Sequence, residues 1–568
     1  MIEIPEIKPV TARDTIEIHL PDGRVYEGPR NASVENFLMN LPEWQDPPIL
    51  GAIINSELRE LTYRINMDSI VKPVSMIDAD GMRIYRRSLT FLLEAAFDEL
   101  YPKAALSVDH SVSTGGYYCE VVRRGPLSDA EVKSLEDRMK ELVAQNLPFS
   151  RREVPLQEAL DIFAAREQDD KVSLMKTRYK AHLVLYRLVD HQDYHHGYMV
   201  PSTGYLKWFA LKKLGDGFVL QFPRRHAPTE ILPLPHSERL LSTFQQYGTW
   251  LEKIGVPNVG ALNEVVRREH IREVVLVSEA LHEQKISEIA TEIVNHPNHP
   301  RIVLIAGPSS SGKTTFSKRL SIQLMVNGLY PYPIEMDNYF VDRVHTPRDE
   351  NGEYDFESID ALNRVQLSAQ LKDLIAGKQV QLPRYDFRTG CQELGELVQL
   401  RKDQVILLEG IHGLNPNLLS DISTQETFRV YVSDLTQLNL DRHNRISTTD
   451  TRLIRRIVRD SRERGYSAKD TISRWESVRR GEKRHIFPYQ DHADEMFNSA
   501  LSYELAALKS LAVPILRQVP YGTQEYIEAK RLLTLLEWFL PVDTELIPDN
   551  SILREFIGKS ILKDIHFV

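Results

Sequence analysis

The stretch "IAGPSSSGKTTF", Ile305 to Phe316, decides the fold of the C-terminal part. From Gly307 to Thr314 it spells G-x-x-x-x-G-K-T, the spacing of a phosphate-cradling P-loop set between a strand and a helix. Its glycines let main-chain N–H groups curl around a triphosphate, and the following helix adds the partial positive charge of its N-terminus. The flanks fit this reading. "RIVLIA" before the loop is a buried-strand run, and "KTTFSKRLSIQL" after it is helical. The nucleotide-binding segment is therefore expected at Gly307, Pro308, Ser309, Ser310, Ser311, Gly312, Lys313, Thr314 and Thr315. Lys313 is expected to reach the β- and γ-phosphates and the Thr314 hydroxyl to ligate Mg²⁺.

A phosphoryl-transfer site also needs carboxylates at strand ends, to support the metal and to orient an attacking hydroxyl. "YPIEMD" ends an apolar strand at Asp337 and "VILLEG" ends another at Glu409. Asp337 is the candidate base and Glu409 the candidate metal support. Charge supplies the third part. The chain carries −10 overall, yet residues 452–484 hold 12 Lys+Arg against 5 Asp+Glu, leaving −17 elsewhere. Arg452, Arg455, Arg456 and Arg459 fall at i, i+3, i+4 and i+7, one stripe of a helix whose other side is Leu453, Ile454, Ile457 and Val458. Asp460 and Glu463 are too few to neutralise that row, so a lid over the transferring phosphate is expected there, with a solvated helix face as the plain alternative.

Outward from the loop, strands alternate with helices from residue 301 on, the pattern of an α/β domain with a largely parallel sheet. Residues 16–75 read as short strands joined by "PDG"-type turns, a small β-rich module. Helix is expected in "LTFLLEAAFDELY" and near 128–145, strand in "GGYYCEVV", and helices over 236–294. Two proline-rich passages, 226–236 and 295–300, read as boundaries. The expected units are 1–75, 76–230, a helical connector at 231–295, and 296–568 with a helical tail from 501 on. At 568 residues the chain is too long for a single core. Two cysteines are too few for a disulfide framework and suit a reducing cytosol, and no secretory or membrane-spanning segment is visible. The acidic balance disfavours general nucleic-acid binding.

From 301 to 500 the residues resemble the uridine kinase and phosphoribulokinase family of P-loop kinases. "GPSSSGKTT", "MDNYFVDR", "YDFESIDAL", "LPRYDFRTG", "VILLEGIHGL" and "DTRLIRRIVRDSRERG" carry the resemblance in order. It implies ATP or GTP as donor, Mg²⁺ held by Thr314, Asp337 and Glu409, and a nucleoside 5′-hydroxyl facing Asp337. It gives Glu357 a ribose role, although uridine kinases usually carry Asp there. Tyr385 and Phe387 would flank the base, and Arg456, Arg459 and Arg464 would clamp substrate and phosphates. Three positions depart. Gly390 stands where such kinases place a histidine that reads the pyrimidine edge, Tyr466 replaces an arginine, and Arg474 replaces a glutamine. Altered readers imply altered specificity.

Residues 16–210 resemble the front of threonyl-tRNA synthetase. "IEIHLPDGRVYEG" and "GAIINSELREL" look like its TGS domain, of β-grasp type, while "RRSLTFLLEAAFDELYPKAALSVDHSVSTGGYYCEV" and "HHGYMVPSTGYLKWF" look like its editing domain. At that domain's hydrolytic positions stand Arg87, Phe91, His195 and Met199, so a scaffold or ligand sensor is expected instead of a second enzyme. In "DHQDYHHG" the residue after His191 is Gln192 and not the glutamate a metalloprotease needs, and the polar, turn-rich composition predicts His191, His195 and His196 at the surface.

The expected function is thus an ATP/Mg²⁺-dependent nucleoside kinase, uridine being the leading acceptor, in the cytoplasm and in pyrimidine salvage. A sugar phosphate or a pantothenate-like alcohol is the second acceptor reading. An RNA-binding nucleotide switch built on the TGS-like module is the rival from another class. The partner is a small nucleoside, with neither membrane nor nucleic acid, and homo-oligomerisation is left open.

Overall fold

The computed structural model describes residues 11, 13–112, 115–234, 238–349, 352, 354–436 and 438–565. The start of the first expected unit, the last residues of the 226–236 passage and the end of the tail lie outside them.

The front begins with a five-stranded sheet ordered Val25–Pro29, Thr15–His19, Ser69–Ser75, Ile49–Ile54, Glu57–Glu60. Only the Thr15–His19 and Ser69–Ser75 pair is parallel. The "PDG" turn closes the first hairpin, with Gly23 at φ 89°, a left-handed conformation that glycine adopts without a Cβ penalty. Alternate residues Ile16 and Ile18 point into this sheet's own core with Phe37 and Leu38 of the helix Val34–Leu38.

Next comes the long helix Ala79–Leu100, which starts ten residues before the apolar run that revealed it. It packs against a four-stranded antiparallel sheet (Ala210–Leu214, Gly217–Gln221, Gly116–Val122, Ala105–Val112), the helix Asp129–Ala144, and a three-stranded sheet of His191–Asp193, His182–Leu188 and Ser150–Pro155. The expected helix near 128–145 and the strand in "GGYYCEVV" are both present. Helices Glu238–Lys253, Val259–Arg267 and Ile271–Asn295 follow. They share one hydrophobic core with the next unit, through Leu251, Ile286 and Ile289 against Val303, Phe316 and Leu320.

The C-terminal unit is a five-stranded, all-parallel sheet ordered Tyr330–Glu335, Gln404–Glu409, Ile302–Ala306, Thr427–Ser433, Glu495–Asn498. The strands Ile302–Ala306 and Gln404–Glu409 are near-continuous Val, Ile and Leu, as strands covered on both faces are. Beyond residue 501 the helices Glu504–Leu516 and Gln524–Leu536 pack on it. The final stretch corrects the all-helical expectation: it is turns around one short helix, Arg554–Ile557. Among the described residues no helix is long and apolar enough to cross a membrane.

The loop after Thr427–Ser433 reaches back into the front half. Val108 N–H donates to the Arg442 carbonyl (2.8 Å), Asn439 Nδ2 donates to the Asp109 carbonyl (2.9 Å), and Arg442 pairs with Asp170 (2.9 Å). Beneath them lies a dry ionic cluster. Lys171, fully buried, pairs with Asp193 and lies 3.6 Å from Asp441. Burial opposes its charge, but these carboxylates override it and hold the ammonium above the usual lysine range.

Two of the three histidines, His191 and His195, correct the surface expectation, and His196 is half-buried. His191 and His195 are 4% and 7% exposed, and neither is on a helix, because the segment pairs as the short strand His191–Asp193. His191 sits between Asp98 (2.7 Å) and Glu94 (3.2 Å), and His195 lies 3.1 Å from the other Glu94 oxygen. Glu94, Asp193 and His195 converge closely enough to hold a cation. However, Lys171, His191 and His443, each with burial outweighed by these carboxylates and its pKa raised, already supply positive charge there.

Removing one partner of a buried cluster leaves an uncompensated charge, so Lys171→Met is expected to cost about 3–5 kcal/mol, read as a fall in the unfolding midpoint. Burial disfavours charging His191, but its hydrogen bonds to Asp98 and Glu94 prevail and raise its pKa to about 9. This group's stabilisation is complete below its unfolded value of about 6.5 and is lost as pH rises through about 9. A thermal midpoint that declines over this window, and declines less in His191→Gln, is the expected result. Parallel profiles for both proteins would remove His191 from the account.

Candidate active site

The strand Ile302–Ala306 ends in the Gly307–Lys313 turn, and the helix Lys313–Val326 leaves it. Two residues of the turn take left-handed backbone, Ser310 (φ 57°) and Gly312 (φ 85°). At Gly307 a Cβ would overlap the Val432 carbonyl of the neighbouring strand, so only glycine fits there. The Ser310 and Ser311 hydroxyls are buried and have no hydrogen-bond partner among the described residues. A dry loop with unsatisfied hydroxyls, a positive helix end and one lysine fits a polyphosphate. Lys313 Nζ donates to the Pro308 carbonyl (3.1 Å), and burial lowers its pKa against the opposing pull of Glu409, Glu555 and Asp337.

Register brings the carboxylates to this loop. Glu409 pairs with Ile305 on one side and Glu335 on the other, so the Gly307 turn, Glu409 and Asp337 leave three adjacent strands at one level. Thr314 Oγ1 donates to Glu409 Oε1 (2.8 Å). Burial, partly offset by Lys313 and the Thr314 hydroxyl, pushes Glu409 up to about 7. Burial likewise raises Asp337, with Lys313 and Arg464 pulling the other way. Glu409, half-buried, and Asp337, accessible at its strand end, lie with one hydroxyl in a donor set that suits a hard divalent cation such as Mg²⁺. Glu357 packs against Gly481, and burial with nearby Glu482 pushes it up to about 7 in spite of Arg456.

The arginine stripe sits against the loop but not as an open row. Arg452 and Arg455 are 1% and 0% exposed, which corrects the unneutralised lid. Arg452 pairs with Glu482 and donates to the Ser309 carbonyl (2.9 Å), while Arg455 pairs with Glu504 (2.8 Å). The missing neutralisers come from other helices, a pairing that spacing along one helix cannot reveal. Arg456 donates to Ser309 Oγ (2.9 Å) and shares Asp460 with Arg459 and Arg464. Arg464 lies near enough to Asp337 to affect its ionisation.

At the acceptor side Tyr385 is 4% exposed, its ring edge-on to Phe340 and Phe387, and its Oη is buried without a partner. Phe387 is 58% exposed and offers an open ring. Two of the three departures from the uridine-kinase pattern, Tyr466 and Arg474, are in contact, and the third, Gly390, is matched to Arg343. At Gly390 (φ 73°) a side chain would collide with Arg343, whose guanidinium fills the space and donates to the Phe387 carbonyl (2.5 Å). Arg474 lies 4.6 Å over the Tyr466 ring.

Two contacts had no sequence signal. Ser309 N–H donates to Glu482 (3.1 Å), and Thr315 N–H and Oγ1 both donate to Glu555 (3.2 and 3.1 Å). Glu555 comes from the tail, 240 residues away in sequence, and occupies donors at the P-loop helix N-terminus that favour phosphate.

In the front half none of the four editing positions is free for chemistry. Arg87 donates to the Tyr198 carbonyl (2.6 Å), Phe91 packs edge-on to His191 and His195, His195 is held by Glu94, and Met199 is buried.

Residues 302–505 match the model of the Phosphoribulokinase / Uridine kinase family. That part of the chain, with its P-loop and all-parallel sheet, is similar to this family. The N-terminal part is similar to threonine–tRNA ligases. The match is 26% identical over 274 residues to that of Francisella tularensis subsp. tularensis (strain FSC 198), covering 48% of this chain and 40% of that one. It is 28% over 205 residues to that of Thermotoga maritima, covering 36% and 31%. The chain thus spans less than half the length of these relatives. Among solved structures, "a Possible Uridine Kinase from Bacillus stearothermophilus" is 22% identical at TM-score 0.24, covering 38% of this chain and 98% of that one. D-glycerate 3-kinase of Cryptococcus neoformans var. grubii is 17% identical at 0.18, covering 49% and 89%. At such scores the fold rests on the chain's own sheet order.

Replacing Glu555 by Gln removes a negative charge from the helix N-terminus, an effect of about 1 kcal/mol. MgATP is expected to bind Glu555→Gln roughly fivefold more tightly than wild type, measured by calorimetric titration. Equal or weaker binding would show that the contact does not compete with phosphate.

Proposed function

We propose that this chain transfers the γ-phosphate of ATP, or of GTP, to the 5′-hydroxyl of a nucleoside, with uridine the leading acceptor. The observation that carries the reading is the convergence of Asp337, Glu409 and Thr314 on the Gly307–Lys313 loop. Thr314, Glu409 and Asp337 would hold Mg²⁺, which when bound supplies charge neutralisation for the phosphates. Main-chain N–H groups of the loop and Lys313 grip the nucleotide. Asp337, accessible at the strand end and with its pKa raised, orients and deprotonates the acceptor hydroxyl. Arg456, Arg459 and Arg464, grouped around Asp460, hold positive charge where the transferring group develops its negative charge.

Phe387 supplies a stacking face for a planar base, and Glu357 stands near Arg456 for the sugar hydroxyls. One observation favours a second reading, a different small alcohol such as a sugar phosphate or pantothenate-like acceptor. Arg343 fills the space at Gly390 where a base-reading side chain is expected. A guanidinium there selects an acceptor with an acceptor-rich or anionic edge. A cytoplasmic place in pyrimidine salvage, and a small-molecule partner in preference to nucleic acid, belong to the first reading.

The test is an acceptor screen with ATP, Mg²⁺ and a panel of nucleosides, sugar phosphates and pantothenate, using Lys313→Ala as the inactive control. Nucleoside monophosphate is the expected product, and Asp337→Asn is expected to lower kcat by about 10²–10⁴-fold with far less effect on MgATP binding. Turnover of another alcohol with no nucleoside converted would replace the first reading by the second.

A further inference from the structure

A cavity of about 300 Å³ lies between the front half and the kinase module, walled by the helix Ala79–Leu100, the 224–225 turn, the 443–450 segment and the helix Ala468–His485. Nine Lys and Arg line it against two carboxylates, Asp450 and Glu476. Some of these cations are satisfied. Arg531 binds Asp450 through both nitrogens (2.7 Å), Arg83 pairs with Asp80 (2.8 Å), and Arg225 pairs with Glu476 (2.8 Å). Others are not. Among the described residues Arg86, Arg224 and Lys483 have no carboxylate partner. Arg86 stacks over Phe222 with its Nε buried and unbonded. Among the described residues Arg87 and Arg445 hydrogen-bond to main-chain carbonyls and have no carboxylate partner, and Arg445 also lies over the Tyr117 ring.

We propose that this cavity binds a compact polyanion of the phosphate type, and that its occupancy is read at the P-loop through Arg479, Glu482 and Ser309. Three facts converge on the ligand class. Cations without a carboxylate partner, from both halves of the chain, face one half-open cavity, and a partly desolvated charge left unpaired is costly unless something anionic joins it. Planar guanidinium groups match phosphate oxygens two at a time. The neighbouring cluster around Glu94 shows the contrast, since Lys171, His191 and His443 each already meet a carboxylate.

The cations also weaken one another. Burial, then Arg86 and Arg479, lower Arg224 to about 10, and burial, then Arg479, lower Lys483 to about 8.

The route to the P-loop is short. Arg479 lines the cavity and pairs with Glu482 Oε2 (2.9 Å). The other Glu482 oxygen takes Arg452 and the Ser309 N–H (3.1 Å). An anion in the cavity competes with Glu482 for Arg479, and so changes how firmly Glu482 holds Ser309. The degenerate editing-like domain thereby becomes the ligand-sensing half of a kinase. This inference rests on the nucleotide-binding reading of the P-loop but not on the acceptor's identity.

The full chain, with its P-loop filled by a non-hydrolysable MgATP analogue, is titrated calorimetrically with inorganic pyrophosphate. One binding event per chain is expected, weakened at least tenfold in Arg86→Gln/Arg224→Gln with analogue binding and far-UV circular dichroism unchanged. Should that variant misfold, Arg224→Gln/Lys483→Gln, with its second change at the cavity rim, gives the same reading. Saturating pyrophosphate is expected to change the analogue's Kd by about fivefold or more in wild type and not in the cavity variant. Absence of a pyrophosphate event, or wild-type affinity in the cavity variants, overturns the site. An analogue Kd indifferent to pyrophosphate overturns the link to the P-loop.

Discussion

Parallel pairing of Ile302–Ala306 with Gln404–Glu409, and of Gln404–Glu409 with Tyr330–Glu335, is the constraint from which the site follows. Parallel strands end at one edge of the sheet, so three unrelated segments deliver their next residues to the same place. Those residues are the Gly307 turn, Glu409 and Asp337. Their own side chains need not bring them together, although Thr314 does hydrogen-bond to Glu409. The hydrophobic burial that holds Val303, Leu304, Ile406 and Leu408 at essentially zero exposure fixes the register, and the register fixes the chemistry.

Around this edge the protein places charge in layers. Nearest the loop, Glu482 links the Ser309 N–H to Arg452 and Arg479, and Glu555 caps the P-loop helix. Further out, Glu504 holds Arg455, and Asp460 gathers Arg456, Arg459 and Arg464. A buried ion pair adds little net stability compared with a packed apolar contact, but it strongly disfavours any arrangement that separates the partners. Here that selectivity keeps the arginine helix pressed on the loop. The contacts of Val108, Asp109, Asp170 and Lys171 with the 439–443 segment tie the front half to the same helix.

The sequence revealed what is local. The loop glycines, the apolar strands, the "PDG" turn and the amphipathic helices follow from spacing, and the structure has them. The strand-end carboxylates Asp337 and Glu409 were legible because a P-loop tells where to look. What stayed hidden depends on pairs far apart in the chain. Glu482 and Glu504 neutralise arginines of another helix, Glu555 arrives from the tail, and Arg343 fills the space opened by Gly390. A count of charges within one helix predicts an exposed cationic row, whereas the fold buries half of it. The histidines of "DHQDYHHG" misled for the same reason: polar composition suggests a surface, but Glu94, Asp98 and Asp193 make burial affordable.

The central claim is that this loop and these strand ends form one magnesium–triphosphate site. The measurement that addresses it most directly is calorimetric titration of ATP into the wild-type chain and into Thr314→Ala, each with and without Mg²⁺. Tightening of ATP binding by Mg²⁺ in wild type, lost in Thr314→Ala, is the predicted result. ATP binding that ignores both the metal and the substitution would contradict the account.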